Sequence, residues 1–310
     1  GKKSMKLQEF FNTGDLEFGP EAIAADKQLA TNIQIVLINL GFLDPPADGL
    51  FGPISTEAMI EFQEVMSPKI SGLKDEKGFL GRLTAKALIE TSIDEVPKLP
   101  IDLSKNDLAA KIIKYMQNKR YQIATGAKNY NIVYVEDMDG NGNPVSNQPN
   151  SFNDRRMVIE ILNNQPKIVG NWEATTEPGT HFTLNPMNPD GAARIAFGQY
   201  KAWKVGPHCG ASGVNCHEAL VQVEDVSVFR DKNKDFIRTG DKLFTGTFGI
   251  NQHHGFDLPR NNISTAGAGC LVGRLIAGHE EFMQMIKQDR RFKLSNSYKF
   301  LTTIIPGDEL

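Results

Sequence analysis

Leu29, Ile33, Val36, Leu37 and Leu40 recur at intervals of three and four, the spacing of a helix with one buried face. Gly41 stands where a C-cap glycine belongs. Asp44-Pro45-Pro46-Ala47-Asp48-Gly49 reads as a turn-rich loop, and Leu50-Phe51-Gly52-Pro53 leads into a second helix carrying Thr56, Ala58, Met59 and Phe62. After a loop over 67–81, Leu83-Thr84 opens a third short helix through Ala87 and Leu88, with Thr84 as its expected N-cap. This pattern predicts a small three-helix domain over residues 20–95. Val96-Pro97-Lys98-Leu99-Pro100 reads as a short, stiff linker. Leu108, Ile112, Ile113 and Met116 then predict a helix over 107–116, so residues 96–128 are linker plus a packing helix.

From Tyr130 the period changes from helical spacing to the alternation and β-branched content of strands. Strands are expected at Asn131–Glu136, Met157–Ile159, Arg194–Phe197, Leu220–Val223, Val226–Arg230, Thr247–Asn251 and Phe300–Ile305, with a helix from about His279 to Lys287. Residues 129–310 therefore form a mainly β domain with peripheral helices. The chain as a whole is multidomain α+β, a small helix bundle followed by a larger β part.

Composition narrows the partners. The 310 residues are 40% hydrophobic, enough for two cores, and carry a net charge of −3. Lys and Arg are scattered without an aromatic-basic stripe, which argues against nucleic acid as a partner. No stretch approaches the roughly 20 apolar residues of a transmembrane segment. The chain turns polar at once after Gly1-Lys2-Lys3-Ser4, so no export signal is expected within it.

Candidate chemistry gathers around cysteine and histidine. Cys209, Cys216 and Cys270 are too few for a disulfide-built scaffold. Cys209 and Cys216 are spaced to close a short loop as a disulfide, and with His208 and His217 they also offer a four-ligand alternative for zinc. Asp137-Met138-Asp139-Gly140-Asn141-Gly142-Asn143 and Asp231-x-Asn233-x-Asp235 have oxygen-rich spacing but lack a complete calcium loop, and plain turns are expected. His253-His254-Gly255 and Ser264-Thr265-Ala266-Gly267-Ala268-Gly269-Cys270 carry more. A thiol attacking an amide needs a base, a group to orient that base, and N–H donors for the oxyanion. Glycines beside Cys270 leave the backbone near sulfur open.

Residues 26–93 closely resemble the three-helix peptidoglycan-binding domain. The match is carried by Leu40-Gly41-Phe42-Leu43, by Asp48-Gly49-Leu50-Phe51-Gly52-Pro53 with Thr56, Ala58 and Phe62-Gln63, and by Gly81-x-Leu83-Thr84-x-x-Ala87-Leu88. The loop from Met66 to Leu80 is longer than that family has there. The resemblance implies glycan strands and stem peptides of peptidoglycan as partners, with Asp48, Gly49 and Phe51 among the binding residues. It also implies a periplasmic or wall-associated location.

The β domain resembles the L,D-transpeptidases through Gly249-Ile250, His254-Gly255, Ser264 and Gly269-Cys270-Leu271. That resemblance implies Cys270 as nucleophile, His254 as general base oriented by the Gly255 carbonyl, and N–H groups around Gly269 and Cys270 as the oxyanion hole. His253 competes with His254, and His253, Ser264 and Arg274 are the expected substrate contacts. Two departures stand out: Ala268 replaces the motif's second histidine, and Arg274 lies four residues beyond the cysteine. The activity implied is a cysteine acyltransferase or L,D-carboxypeptidase working without a cofactor. The alternatives are a wall-binding protein whose β domain is a degenerate enzyme, and a zinc amidase or peptidase built on His208, Cys216, His217 and either His253 or His254.

Overall fold

The computed structural model describes residues 4–97, 100–210 and 213–310, so Lys98 and Leu99 of the expected linker lie outside the described residues. The chain divides into two compact units, Gly1–Pro100 and Ile101–Leu310. The first is helical and the second mainly β, as the change of hydrophobic period at Tyr130 predicts.

The helical unit contains α1 (Leu7–Asn12), α2 (Pro20–Ala24), α3 (Lys27–Asn39), α4 (Pro53–Met66) and α5 (Arg82–Glu90). Leu29, Ile33, Leu37, Met59, Phe62 and Leu88 line its core. Asp26 caps α3, its side chain accepting from Leu29 N at 3.1 Å. The first two helices were not anticipated, because each is too short to show a period; Phe10 and Ile23 nevertheless reach the core fully buried. Thr84 is not the N-cap of α5. That position is Gly81, and the carboxylate of Glu76 caps the helix instead, accepting from Leu83 N at 3.1 Å and Thr84 N at 2.7 Å.

Two glutamines latch the loops of this unit in the same way. Gln34 donates to Asp48 Oδ1, the Leu50 carbonyl and Ser55 Oγ, and accepts from Gly49 N at 2.8 Å. Gln63 donates to the Glu76 and Phe79 carbonyls and Thr84 Oγ1, and accepts from Gly78 N at 3.0 Å. The separations match: 15 residues from each glutamine to its glycine and 21 to its hydroxyl. The unit is thus an internal repeat, Gly49-Leu50-Phe51-Gly52 answering Gly78-Phe79-Leu80-Gly81. The long loop after α4 is the second copy of the loop after α3, which explains its length.

In the second unit α6 (Leu108–Asn118), capped by Asp107 accepting from Ala110 N, buries Ile112, Ile113 and Met116 against Val133, Met157 and Ile159. Among the described residues eleven strands follow: β1 (Gly126–Glu136), β2 (Asp154–Leu162), β3 (Gln165–Thr175), β4 (Ala192–Ile195), β5 (Gly198–His208), β6 (His217–Gln222), β7 (Val226–Asp231), β8 (Lys242–Gly246), β9 (Gln252–His254), β10 (Leu271–Gly273) and β11 (Phe300–Pro306). Eight of them close a barrel in the order β1-β11-β5-β6-β9-β10-β3-β2, and β4-β7-β8 form a separate sheet. Helices α7 (Thr180–Leu184), α8 (Ile276–Ile286) and α9 (Arg290–Leu294) are peripheral.

Residues 247–251 are not the expected strand. Gln222 Oε1 takes the N–H groups of Phe248 and Ile250, and Trp203 Nε1 donates to the Ile250 carbonyl at 2.7 Å. Side chains have replaced the ladder there. The barrel interior is polar and internally bonded: Tyr134 Oη donates to Gln252 Oε1, and Gln252 Nε2 to Thr302 Oγ1, each at 2.9 Å. These residues come from β1, β9 and β11, so the chain of bonds crosses between strands that are not neighbours. All three are fully buried, and pairing is what offsets the cost of placing polar groups there.

Candidate active site

Cys270 sits immediately before β10, at the end of a run of small residues. Gly269 holds φ at +127°, and a Cβ there would meet the Ala193 carbonyl oxygen at 2.6 Å. Only glycine satisfies both conditions. Among the described residues neither the Gly269 nor the Cys270 backbone N–H has a protein acceptor, so two donors stand free beside the sulfur.

β10 runs parallel to β9, with Leu271 opposite Gln252 and Val272 opposite His253. Cys270 packs with Leu258 against the small apolar cluster of Phe152, Ile263 and Val272. It therefore lies on the side of Val272 and of the His253 position, two residues back along the ladder. The thiol donates to the Gly249 carbonyl at 3.4 Å. Burial pushes it up to about 11, against the opposing effect of the Asn251 amide. It rests as a neutral thiol.

Five of the six histidines meet beside this strand pair. His208 stacks on His253 with ring centroids 4.0 Å apart, and His217 stacks on His254 at 3.6 Å. His279 stands edge-on to His217 at 5.2 Å. His208 and His217 face each other directly across β5 and β6, and a disulfide between Cys209 and Cys216 closes the hairpin above them. Both sulfurs are committed to that bond, so the four-ligand zinc alternative of His208, Cys209, Cys216 and His217 is corrected: no thiolate is left to bind. The zinc peptidase alternative loses Cys216 for the same reason.

The hydrogen bonds fix the ring protons. A carbonyl can only accept, so His253 Nδ1 carries its proton and donates to the His254 carbonyl at 2.7 Å. Its Nε2 is left as the lone-pair nitrogen. His254 is the reverse: Nδ1 accepts from Phe256 N at 3.1 Å, which leaves the proton on Nε2. The expected orienting role of the Gly255 carbonyl is therefore corrected. The orienting carbonyl belongs to His254, and the ring it orients is His253. His217 Nε2 accepts from His254 N at 3.1 Å, and its Nδ1 is buried without a partner. His279 Nε2 donates to the Glu218 carbonyl at 2.8 Å.

All five rings are held below their ordinary range, burial being the first cause in each case. His217 is lowered to about 4 by burial and then by His254 and His208, and His279 to about 2 by burial and then by Arg156. His253 is pushed well down by burial and by His208, while His208 and His254 are shifted downward less. At neutral pH the cluster is a set of uncharged imidazoles, the form a general base requires.

The remaining expected contacts have structural partners. Arg274 ion-pairs with Glu173 at 3.0 Å and donates to the Leu258 carbonyl, tying the loop after β10 to β3. Ser264, at φ +51°, takes a turn in which its N–H donates to Asn262 Oδ1. In the helical unit Asp48 and Gly49 belong to the Gln34 latch, and Phe51 is 4% exposed within the core. The Phe51 side chain therefore supports its loop from inside rather than offering a contact surface.

Two acidic groups lie apart from the cysteine. Asp231, Asp235 and Asp241 each bring one carboxylate oxygen within 4.8 Å of the others. A cavity of about 650 Å³ is lined by Glu136, Asp137, Glu177 and Arg238 with Tyr115 and Tyr121. Burial, with Glu136 and Glu177 nearby, raises Asp137 to about 7. Arg238 pairs with both oxygens of Glu136. Among the described residues no helix is long and apolar enough to cross a membrane.

Sequence reasoning missed Arg156, the paired glutamine latches and the gathering of five histidines. Matching the two glycine loops against each other would have exposed the latches. No local signal exists for the other two. No curated protein and no solved structure gives a match. Residues 27–88 match the family described as "Putative peptidoglycan binding domain", and the helical N-terminal region thus carries a domain of the peptidoglycan-binding kind.

Proposed function

We propose that this chain is a wall-associated cysteine acyltransferase of the L,D-transpeptidase type, its N-terminal domain holding peptidoglycan while Cys270 acts on L,D peptide bonds of stem peptides. The observation that carries this reading is the pairing of β9 with β10, which sets Cys270 and His253 on one side of adjacent strands. Their offset is two residues, roughly 7 Å of strand rise on top of the ~4.8 Å between strands, so the thiol has to swing from the Gly249 carbonyl toward His253 for the two to meet.

The base in this reading is His253 and not His254, because its Nδ1–H is committed to the His254 carbonyl and its Nε2 is free to accept. The Cys270 proton passes to His253 Nε2 as sulfur bonds to the scissile carbonyl carbon. The free N–H groups of Gly269 and Cys270 receive the oxyanion. Collapse breaks the C–N bond, and the leaving amine takes the proton back from the imidazolium. The resulting thioester is then attacked by an acceptor amine, giving a crosslink, or by water, giving a trimmed peptide. Such a substrate places the protein in the periplasm or at the wall.

A second reading, a wall-binding protein with a degenerate enzyme domain, is favoured by the thiol itself. It is pushed up to about 11 and is bonded to Gly249 rather than to an imidazole. Incubating the full chain with muropeptides and with an acylating β-lactam separates the two. The enzyme reading expects turnover and a covalent adduct on Cys270, both lost in Cys270→Ala. It expects His253→Gln to cost about 10²–10⁴-fold in rate and His254→Gln much less. Turnover unchanged in Cys270→Ala sinks the enzyme reading.

A further inference from the structure

Arg156 is the least explained charge in the molecule. It projects from β2 into the barrel, fully buried. Nε donates to Tyr134 Oη at 2.8 Å and Nη1 to His279 Nδ1 at 2.9 Å. Nη2 donates to two backbone carbonyls, His253 O at 3.1 Å and Leu271 O at 3.2 Å. Its guanidinium carbon lies 4.4 Å from the Phe282 ring centroid. Room for it is made on β10, where a Cβ on Gly273 would stand 2.5 Å from Nη1.

Every one of these partners is uncharged. Among the described residues no carboxylate lies at ion-pair distance from Arg156, although a buried cation is ordinarily paired. A hydrophobic residue would fill the same space without the desolvation cost. What Arg156 does that a hydrophobic residue cannot is grip both strands of the cysteine–histidine pair. One nitrogen, Nη2, holds the carbonyl of His253 on β9 and that of the residue after Cys270 on β10. It also leaves an uncompensated positive charge beside the imidazoles.

We propose that Arg156 is a positioning residue for the cysteine–histidine site, fixing β9 against β10 through two carbonyls and keeping the His253 imidazole in its neutral, proton-accepting form. The inference rests on the proposed thiol chemistry for its purpose, but its physical content is independent of turnover. The groups around His253 are His208 on β5, His217 on β6, its chain neighbour His254, and Arg156 itself. Arg156 is the one permanent cation among them. Tyr134, on β1, and His279, on α8, complete the shell of the guanidinium. A cation there opposes protonation of His253, adding to the larger lowering by burial and to that of His208 and His217.

The test compares Arg156→Met and Arg156→Lys in the full chain, using two readouts that need no substrate. One is the imidazole titration of His253 followed by NMR. The other is the rate of Cys270 alkylation by iodoacetamide against pH, which is site-specific because the other two cysteines form the disulfide. In Arg156→Met the His253 titration should move up, and alkylation should slow at least tenfold near neutral pH. Arg156→Lys should keep the titration near its original position, because the charge stays, while still slowing alkylation, because the two-carbonyl grip is lost. Should Arg156→Met fail to fold, Gly273→Ala pushes the guanidinium off the carbonyls and should slow alkylation in the same way. Unchanged titration and alkylation in folded variants overturn the proposal. Absence of muropeptide turnover with these shifts present would overturn the acyltransferase reading and leave the role of Arg156 standing.

Discussion

The two units of this chain solve the same problem, holding loops in place, by opposite means. In the helical unit a glutamine from each of two helices satisfies the backbone of the loop that follows, 15 residues on, and the same device is used twice. In the barrel the corresponding work is done across long distances. Tyr134 reaches Gln252 over a separation of 118 residues, and Arg156 reaches the Leu271 carbonyl over 115. The helical core is apolar around two buried amides. The barrel core carries a cation, a phenol and a shell of imidazoles. One unit is repetitive and local, suited to presenting a surface. The other is irregular and non-local, suited to holding a few groups in mutual register.

Acid should separate the units most strongly. The helical unit has no histidine, since all six lie beyond residue 180. In the barrel five imidazoles are held below their ordinary range. Their folded pKa values are depressed, so the unfolded state binds protons first as pH falls below about 6.5. The imidazoles should weaken the barrel from there downward, through the titration of His217 at about 4. A smaller number of carboxylates, Asp137, Asp154 and Glu177, have raised values that work in the opposite direction. Hydrogen exchange of the full chain between pH 7 and 4.5 should show barrel amides losing protection while those of α3 and α4 do not. Equal loss in both units would break the comparison.

Next in size are the latches. Gln34→Ala leaves the Gly49 N–H and the Leu50 carbonyl short of a partner, and Gln63→Ala leaves the Gly78 N–H and the Glu76 and Phe79 carbonyls so, which should cost about 2–3 kcal/mol in each case. Because the two glutamines hold equivalent networks, chemical denaturation should show nearly equal losses for the two variants, confined to the helical transition. A loss in one variant only would mean that the repeat is geometric and not energetic.

The smallest effect concerns Asp137 in the acidic cavity. Its folded pKa is raised to about 7, so the stabilising protonated form is present below the unfolded carboxylate range and is lost as pH rises through about 7. Asp137→Asn should therefore raise the melting temperature more at pH 8 than at pH 5, the gain fading toward the unfolded carboxylate range. Asparagine also tolerates the positive φ of this position. A variant equally stabilised at both pH values would remove titration as the cause.

Legibility in the sequence followed the same division. Helices α3, α4 and α5 were readable from apolar spacing, and so was α6. Strands β1, β7 and β11 were readable from alternation. β3, β5, β8 and β10 were not: Lys, Gly, Pro and Asn interrupt β3 and β5, and β10 is only three residues long. At the candidate site Cys270 could be singled out from its glycines. The choice between His253 and His254 could not, because it depends on which Nδ1 faces a carbonyl and which faces an N–H.

By itself, then, the sequence determined the change from helix to strand near Tyr130, the peptidoglycan-binding pattern of residues 27–88, and the cysteine with small neighbours. These are properties of neighbouring residues, written in period and order. Only the tertiary structure decided that five histidines meet, that a disulfide removes Cys209 and Cys216 from metal chemistry, and that Arg156 grips the strands on either side of the site. The disulfide closes only the β5–β6 hairpin, seven residues apart, but the histidine gathering and the Arg156 grip depend on barrel closure, which brings residues a hundred positions apart within hydrogen-bond distance. No local pattern records such a meeting, because the strand pairing that produces it is set by the register of the whole sheet.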